Sequence, residues 1–101
     1  MHIQHKQTGS KGAFIIEEDG DTVAELVYAN SGENMIIEHT QVDDELRGRN
    51  IGYELVLHAV EYARSHQMKI VPVCQFAKAV FDKKPDFSDV LGNWEMFVGQ
   101  L

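Results

Sequence analysis

Three places in the chain combine residue types that can do chemistry. The first is the run Arg47-Gly48-Arg49-Asn50-Ile51-Gly52. A glycine-bearing loop that opens a helix presents unpaired N–H groups and the positive end of the helix dipole. Gly48 lets the backbone approach a ligand closely, Gly52 leaves the first helical turn bare, and Arg47 and Arg49 add full charges. Together these suit a pyrophosphate. The competing reading is a surface loop whose arginines pair with Asp43, Asp44 and Glu45, and spacing alone does not separate the two. The second place is Cys74, where a strand gives way to a short helix. A helix start favours the thiolate and hence a reactive sulfur, whereas free cysteine is also among the most buried residue types. The third is His39, on the strand before the loop and four residues ahead of Asp43. Its imidazole is a suitable general base, or else only a hydrogen-bonding group of the sheet.

The elements that must position these groups follow from the pattern of the chain. Residues 1–7 alternate weakly and read as an edge strand, and residues 8–12 as a loop of small polar residues. Residues 13–18 and 22–29 read as strands joined at Asp19-Gly20-Asp21, because Asp-Gly supplies the positive φ angles of a tight hairpin. Residues 30–34 make a second turn and 35–42 another strand, completing an antiparallel meander. The period then changes. Residues 43–46 fit a short helical turn. Ile51, Leu55, Val56, Ala59, Val60 and Ala63 recur at helical spacing and predict a helix over 50–66. Asn50 is its expected N-cap, and Arg64 and His66 suit its C-terminal dipole.

Residues 68–73 predict a strand in which Pro72 breaks the ladder on one side. Residues 75–83 predict a second helix with Phe76, Ala79 and Val80 on one face, stopped by Pro85. Residues 87–91 fit one more turn, capped by Ser88. The strand-helix-strand unit at 35–73 implies a parallel pair with a right-handed crossover. The expected fold is a single α/β domain over 1–101, a mixed sheet covered by helices. An apolar tail at 92–101 (Trp94, Met96, Phe97, Val98) is expected to pack on the sheet or on a partner.

Composition excludes several classes of function. Sixteen acidic against nine basic side chains give a net charge of −7 in 101 residues. That field repels duplex DNA, whose binding rests on Lys and Arg neutralising phosphates, and attracts a cationic molecule. No apolar run approaches the roughly 20 residues of a membrane helix, and residues 1–7 lack the apolar core of a secretion signal. With one cysteine no intrachain disulfide forms, which points to a reducing, cytoplasmic setting. His2 and His5 are three apart and make a poor metal pair on a strand, and a lone Cys offers no zinc-like spacing, so no metal is expected.

The order His39-Thr40-Gln41-Val42, then Arg47 to Gly52, then Pro72-Val73-Cys74-Gln75-Phe76-Ala77 resembles the small single-domain branch of the GCN5-related N-acetyltransferases, the GNAT superfamily. That branch carries a His-Thr-x-Val strand, Arg-Gly-x-Gly-Ile-Gly before a helix, and a strand running into Pro-x-Cys-x-(Phe/Tyr)-Ala. The resemblance spans about residues 14–91. It departs at Asn50, which replaces the central glycine. Asn tolerates positive φ better than other non-glycine residues, so the loop is expected to keep its shape.

The resemblance implies acetyl-CoA as cosubstrate, its pyrophosphate on Arg47, Gly48, Arg49, Asn50, Ile51 and Gly52. It implies that the strands at 35–42 and 68–73 splay apart around the pantetheine arm, with Cys74 and His39 catalytic. Cys74 would act as nucleophile or as proton donor to the leaving thiolate, and His39 as base toward a primary amine. The expected partners are acetyl-CoA and an amine acceptor, a small molecule or a protein, with no nucleic acid or membrane, and the expected state is a monomer. Two rival readings stay open. One is a module that binds CoA or acyl-CoA without efficient turnover. The other is an interaction domain that docks a partner through the apolar tail. Phe76 reads as core more than as a cofactor clamp, and Lys78, Lys83 and Lys84 form a second basic cluster.

Overall fold

Paired positive φ angles at Asp19 (53°) and Gly20 (85°), and another at Gly32 (60°), fold the first part of the chain back on itself. In the computed structural model, which describes residues 2–92, these turns join the strands of one sheet. β1 is Gln4–Thr8, β2 Lys11–Glu18, β3 Asp21–Ser31, β4 Asn34–Val42 and β5 Lys69–Pro72, in spatial order β1-β2-β3-β4-β5. The first three pairings are antiparallel, and β4–β5 is parallel. A 3₁₀ turn, Asp44–Leu46, leads to α1, Ile51–Ser65, which makes the crossover to β5. α2, Gln75–Lys83, and a 3₁₀ helix, Pro85–Val90, follow. The expected mixed α/β sheet is the fold observed. The residues Trp94, Met96, Phe97 and Val98 of the apolar tail lie outside the described residues.

Three local expectations are corrected. β2 starts at Lys11, β3 reaches Ser31, and β4 starts at Asn34. The ladder continues through Lys11-Gly12 and Asn30-Ser31 because backbone pairing tolerates polar residues that carry no hydrophobic marker. Asn50 does precede α1, but with φ 64° and no side-chain capping bond. The Asn side chain therefore caps no amide of α1, while its backbone takes the left-handed conformation glycine would supply. On α2 the buried residues are Ala77, Val80 and Phe81; Val80 lies on the buried face as expected, whereas Phe76 and Ala79 do not. Phe76 is 43% exposed.

One face of the sheet carries the core. Leu26, Tyr28, Met35 and Ile37 meet Leu55, Val56, Ala59 and Val60 of α1, all fully buried. Burying a Leu, Ile or Val of this kind contributes about 1.5–3 kcal/mol. Arg64, in the last turn of α1 as expected, also clamps the C-terminal 3₁₀ helix. Its Nε and Nη2 donate to the Asp89 carboxylate at 2.8 and 2.9 Å, and Nη2 also donates to the Asp86 carbonyl at 2.7 Å. That pairing holds the Asp89 carboxyl below its usual range.

At the β1 edge, the Tyr28 phenol lies within 2.6 Å of His5 Nε2 and accepts a bond from Gln7 Nε2 at 2.9 Å. The His5 ring stacks on Phe14 with centroids 4.2 Å apart. Burial, helped by nearby His66, pushes His5 down, and burial pushes the Tyr28 phenol up. Both groups are therefore neutral at pH 7, and His5 Nε2 can take the phenolic hydrogen.

Two irregularities break the meander's strict alternation. One falls between Ile16 and Glu17. In the other, Tyr28 pairs with Ile37 and Val27 with His39, leaving Glu38 as an extra residue in β4. Such a bulge shifts the side-chain phase of everything after it.

Candidate functional site

The β4–β5 ladder is short. It runs from Asn34↔Lys69 to Ile37↔Pro72 and stops. Pro72 has no N–H to continue it, and the Ile37 carbonyl instead accepts from both Val73 and Cys74, at 3.1 and 3.0 Å. Among the described residues β4 continues to Val42 with only β3 beside it. The two parallel strands thus part after Ile37, and among the described residues the β4 edge facing the gap keeps unused backbone donors and acceptors. This is the splay expected above.

The loop ahead of α1 borders the gap. Its own bonds run from Leu46 N–H to Asp43 (2.9 Å), Arg47 N–H to Asp44 (3.2 Å) and Arg49 N–H to Leu46 (3.4 Å). The first bond of α1 is from Glu54 N–H to the Asn50 carbonyl at 3.1 Å, so the amides of Ile51, Gly52 and Tyr53 have no acceptor within the helix. Gly48 (φ 86°) and Asn50 (φ 64°) take positive φ angles on either side of Arg49, and buried Leu46 anchors the turn. Arg47 Nε contacts Asp44 at 3.0 Å, with both side chains largely exposed. An exposed pair of this kind contributes about 0–1 kcal/mol, so an anionic ligand can displace it. The ion pair of the surface-loop reading therefore exists and does not block the site.

A cleft of about 470 Å³ opens here, lined by Thr40 and Val42 of β4, the 46–53 region and Phe76. Phe76 is the wall that the sequence reading treated as core. A Cβ on Gly52 would come within 2.7 Å of Phe76 Cζ, so the bare first turn of α1 is what admits the ring. The aromatic at the start of α2 and the glycine in the first turn of α1 are one feature, in two segments of sequence 24 positions apart.

Cys74 is half-buried at the N-cap of α2, and its Sγ lies 3.6 Å from Thr40 Oγ1. His39 does not join them. It pairs with Val27 on the outer face of the sheet, while Thr40 pairs with fully buried Leu26. Met35 and Ile37 point inward, and strict alternation would carry His39 inward with them. The Glu38 bulge turns Thr40 and Val42 inward and His39 out. Thr40 and Val42 were legible only as motif letters, and without the bulge no signal in the sequence assigns them to the cleft.

Lys84 Nζ lies 5.2 Å over the Tyr53 ring, and Lys78 contacts Asp82 at 3.8 Å. Among the described residues no group of three or more His, Cys, Asp or Glu side chains could hold a metal. None of the described helices is long and apolar enough to cross a membrane.

The arrangement thus offers free amides and arginines beside a strand gap that can pair an extended arm, with a thiol at one wall. These features fit a nucleotide thioester. A family model described as GCN5-related N-acetyl-transferase matches residues 13–90. A GCN5-like protein of Staphylococcus aureus, assigned as an N-acetyltransferase and solved by solution NMR, is 33% identical with a TM-score of 0.68. The match covers 89% of this chain and 88% of that one. Two longer proteins share the fold. One is an IAA acetyltransferase of Bacillus cereus (22% identity, TM-score 0.58, 73% of this chain and 53% of that one). The other is assigned as a streptothricin acetyltransferase of Bacillus anthracis, solved with acetyl coenzyme A (21%, 0.57, 76% and 47%). The chain spans about half the length of these last two.

Proposed function

The chain belongs to the GCN5-related N-acetyltransferase family, and from that premise we propose that it moves an acetyl group from acetyl-CoA to a primary amine. The observation that carries this reading is the set of free amides at Ile51, Gly52 and Tyr53, at the end of the basic loop and beside the opened β4–β5 pair. Arg47, Gly48, Arg49, Asn50, Ile51 and Gly52 would hold the pyrophosphate, and the free edge of β4 the pantetheine arm. Acetyl-CoA, when bound, supplies the activated acetyl thioester.

The reaction joins the amine nitrogen to the carbonyl carbon and breaks the carbon–sulfur bond. The proton lost by the nitrogen balances the one gained by the departing thiolate. His39, exposed on the outer face next to the gap, would take the first proton from an acceptor arriving on that side. Cys74, at the inner wall, would give the second, or would take the acetyl group first and pass it on. Either role asks the thiol to change protonation state at the gap.

Titration with acetyl-CoA tests the cofactor claim. The amide signals of Gly48, Asn50, Ile51 and Gly52 are expected to move first, and binding to weaken as salt rises, because the pyrophosphate contact is partly ionic. Unmoved signals there at millimolar ligand would sink it.

The acceptor is expected to be cationic. Glu25 and Asp43 join Thr22 and Gln41 around a shallow depression of about 110 Å³ near the outer face that bears His39, and the whole chain carries −7. Such a field raises the local concentration of a positive substrate. A panel of polyamines, lysine-bearing peptides, and neutral and acidic amines should therefore rank the cations first. A preference for an anionic acceptor refutes the assignment.

A further inference from the structure

We propose that Thr40 is a positioning residue for Cys74. Its hydroxyl holds the sulfur beside the Thr40 wall of the cleft and donates a hydrogen bond to it whenever the thiol gives up its proton. This rests on the reading that Cys74 takes part in transfer, and adds the group through which the chain controls it.

Four observations converge on this pair. Thr40 Oγ1 lies 3.6 Å from Cys74 Sγ, an ordinary length for a hydrogen bond to sulfur. Thr40 also lines the cleft, so the contact joins the sulfur to a residue of the cleft wall. The Cys74 backbone is held independently, its N–H on the Ile37 carbonyl and its own carbonyl on Lys78 N–H, both at 3.0 Å. What remains to be fixed is the sulfur's direction. Finally, Sγ makes no capping bond to the α2 amides, which leaves the hydroxyl as its hydrogen-bond partner among the described residues.

A hydroxyl suits this duty better than a fixed donor or acceptor. It accepts from S–H and, by rotating about C–O, donates to S⁻. One contact therefore serves the thiol before and after it loses its proton, with no heavy atom moving. The imidazole of His39 cannot share in it from the opposite face, where the Glu38 bulge has turned it. Valine has nearly the shape of threonine and β-branching that suits a strand. Thr40→Val therefore removes the hydroxyl and little else.

The chain's single cysteine makes alkylation a direct readout. Iodoacetamide rates are to be measured from neutral to strongly alkaline pH for wild type, Thr40→Val, Thr40→Ser and His39→Ala, with acetyl transfer assayed alongside. The bond to the charged sulfur is worth about a tenfold change in thiolate population. Thr40→Val is therefore expected to alkylate about tenfold more slowly at pH 7 and to catch up where every thiol is ionised. A filler role would not produce that pH-dependent deficit. Thr40→Ser should restore both alkylation and transfer.

A Thr40→Val protein that alkylates at the wild-type rate overturns the positioning role and leaves Cys74's own role standing. Slowing by His39→Ala in place of Thr40→Val overturns it too. Wild-type transfer by Cys74→Ala removes the reaction in which Thr40 would take part, a failure of the parent reading that the alkylation rates alone would not produce.

Discussion

Replacing Cys74 with alanine is expected to lower acetyl transfer about 10²–10⁴-fold, the usual contribution of a general acid or base, while acetyl-CoA affinity stays near wild type. The two effects separate because the groups are separate. In the proposed binding mode affinity rests on the amides and arginines ahead of α1, whereas Sγ lies at the start of α2 against Thr40. Alanine keeps the backbone bonds to Ile37 and Lys78 and removes only a half-buried sulfur. If the thiol is a nucleophile, the wild type given acetyl-CoA without acceptor should gain one acetyl group by intact mass, and the variant none. If it only protonates the leaving thiolate, the adduct is absent and the rate loss remains. Undiminished transfer by the variant would make Cys74 a packing residue. Binding without turnover in both proteins would favour the module that holds CoA and does nothing further.

Gly12→Ala is expected to be the most damaging single methyl group in the sheet. Gly12 pairs with Tyr28 across β2–β3, and an added Cβ would fall inside the van der Waals radii of the phenol's Cζ and Oη. The ring cannot yield. Tyr28 is fully buried, and its oxygen is held by His5 and Gln7. Overpacking of about 1–3 kcal/mol, with two hydrogen bonds weakened at about 1 kcal/mol each, comes to about 3 kcal/mol or more. For a domain of this size that lowers Tm by about 15 °C.

Gly20→Ala is the comparison. It has φ 85° and open space around it, so it carries only the left-handed backbone penalty, about 1–2 kcal/mol. Thermal melts followed by circular dichroism should rank wild type above Gly20→Ala and Gly20→Ala above Gly12→Ala. The reverse order for the two variants would mean that the Tyr28 ring has room to move.

Much of the fold was legible because it is decided by neighbours in sequence. Asp19-Gly20 turns the chain through φ angles that few other pairs adopt. Pro72 ends the parallel ladder by lacking a donor, and Pro85 follows α2 so closely that its bounds, Gln75–Lys83, needed no tertiary information. Asn50 holds the left-handed φ of the glycine it replaces, a property of one residue's own sterics. The amide-rich loop belongs to the same class. A basic, glycine-containing segment at a helix start offers free donors wherever the helix is placed.

What the tertiary structure decided is phase and proximity. α2 carries apolar residues at 76, 77, 79, 80 and 81, so more than one rotation buries a stripe. Docking chose Ala77, Val80 and Phe81 and left Phe76 to wall the cleft over Gly52. Gly12 read as a loop residue because nothing beside it announces the Tyr28 ring 16 positions later. The alternation of β4, read from Met35 and Ile37, points His39 inward. The extra residue Glu38 reverses it, since a strand has a period of two and a single insertion exchanges its faces. Local chemistry therefore determined which residues bend, cap and donate in this chain, whereas only the packed sheet could decide that Thr40, and not His39, meets the sulfur of Cys74.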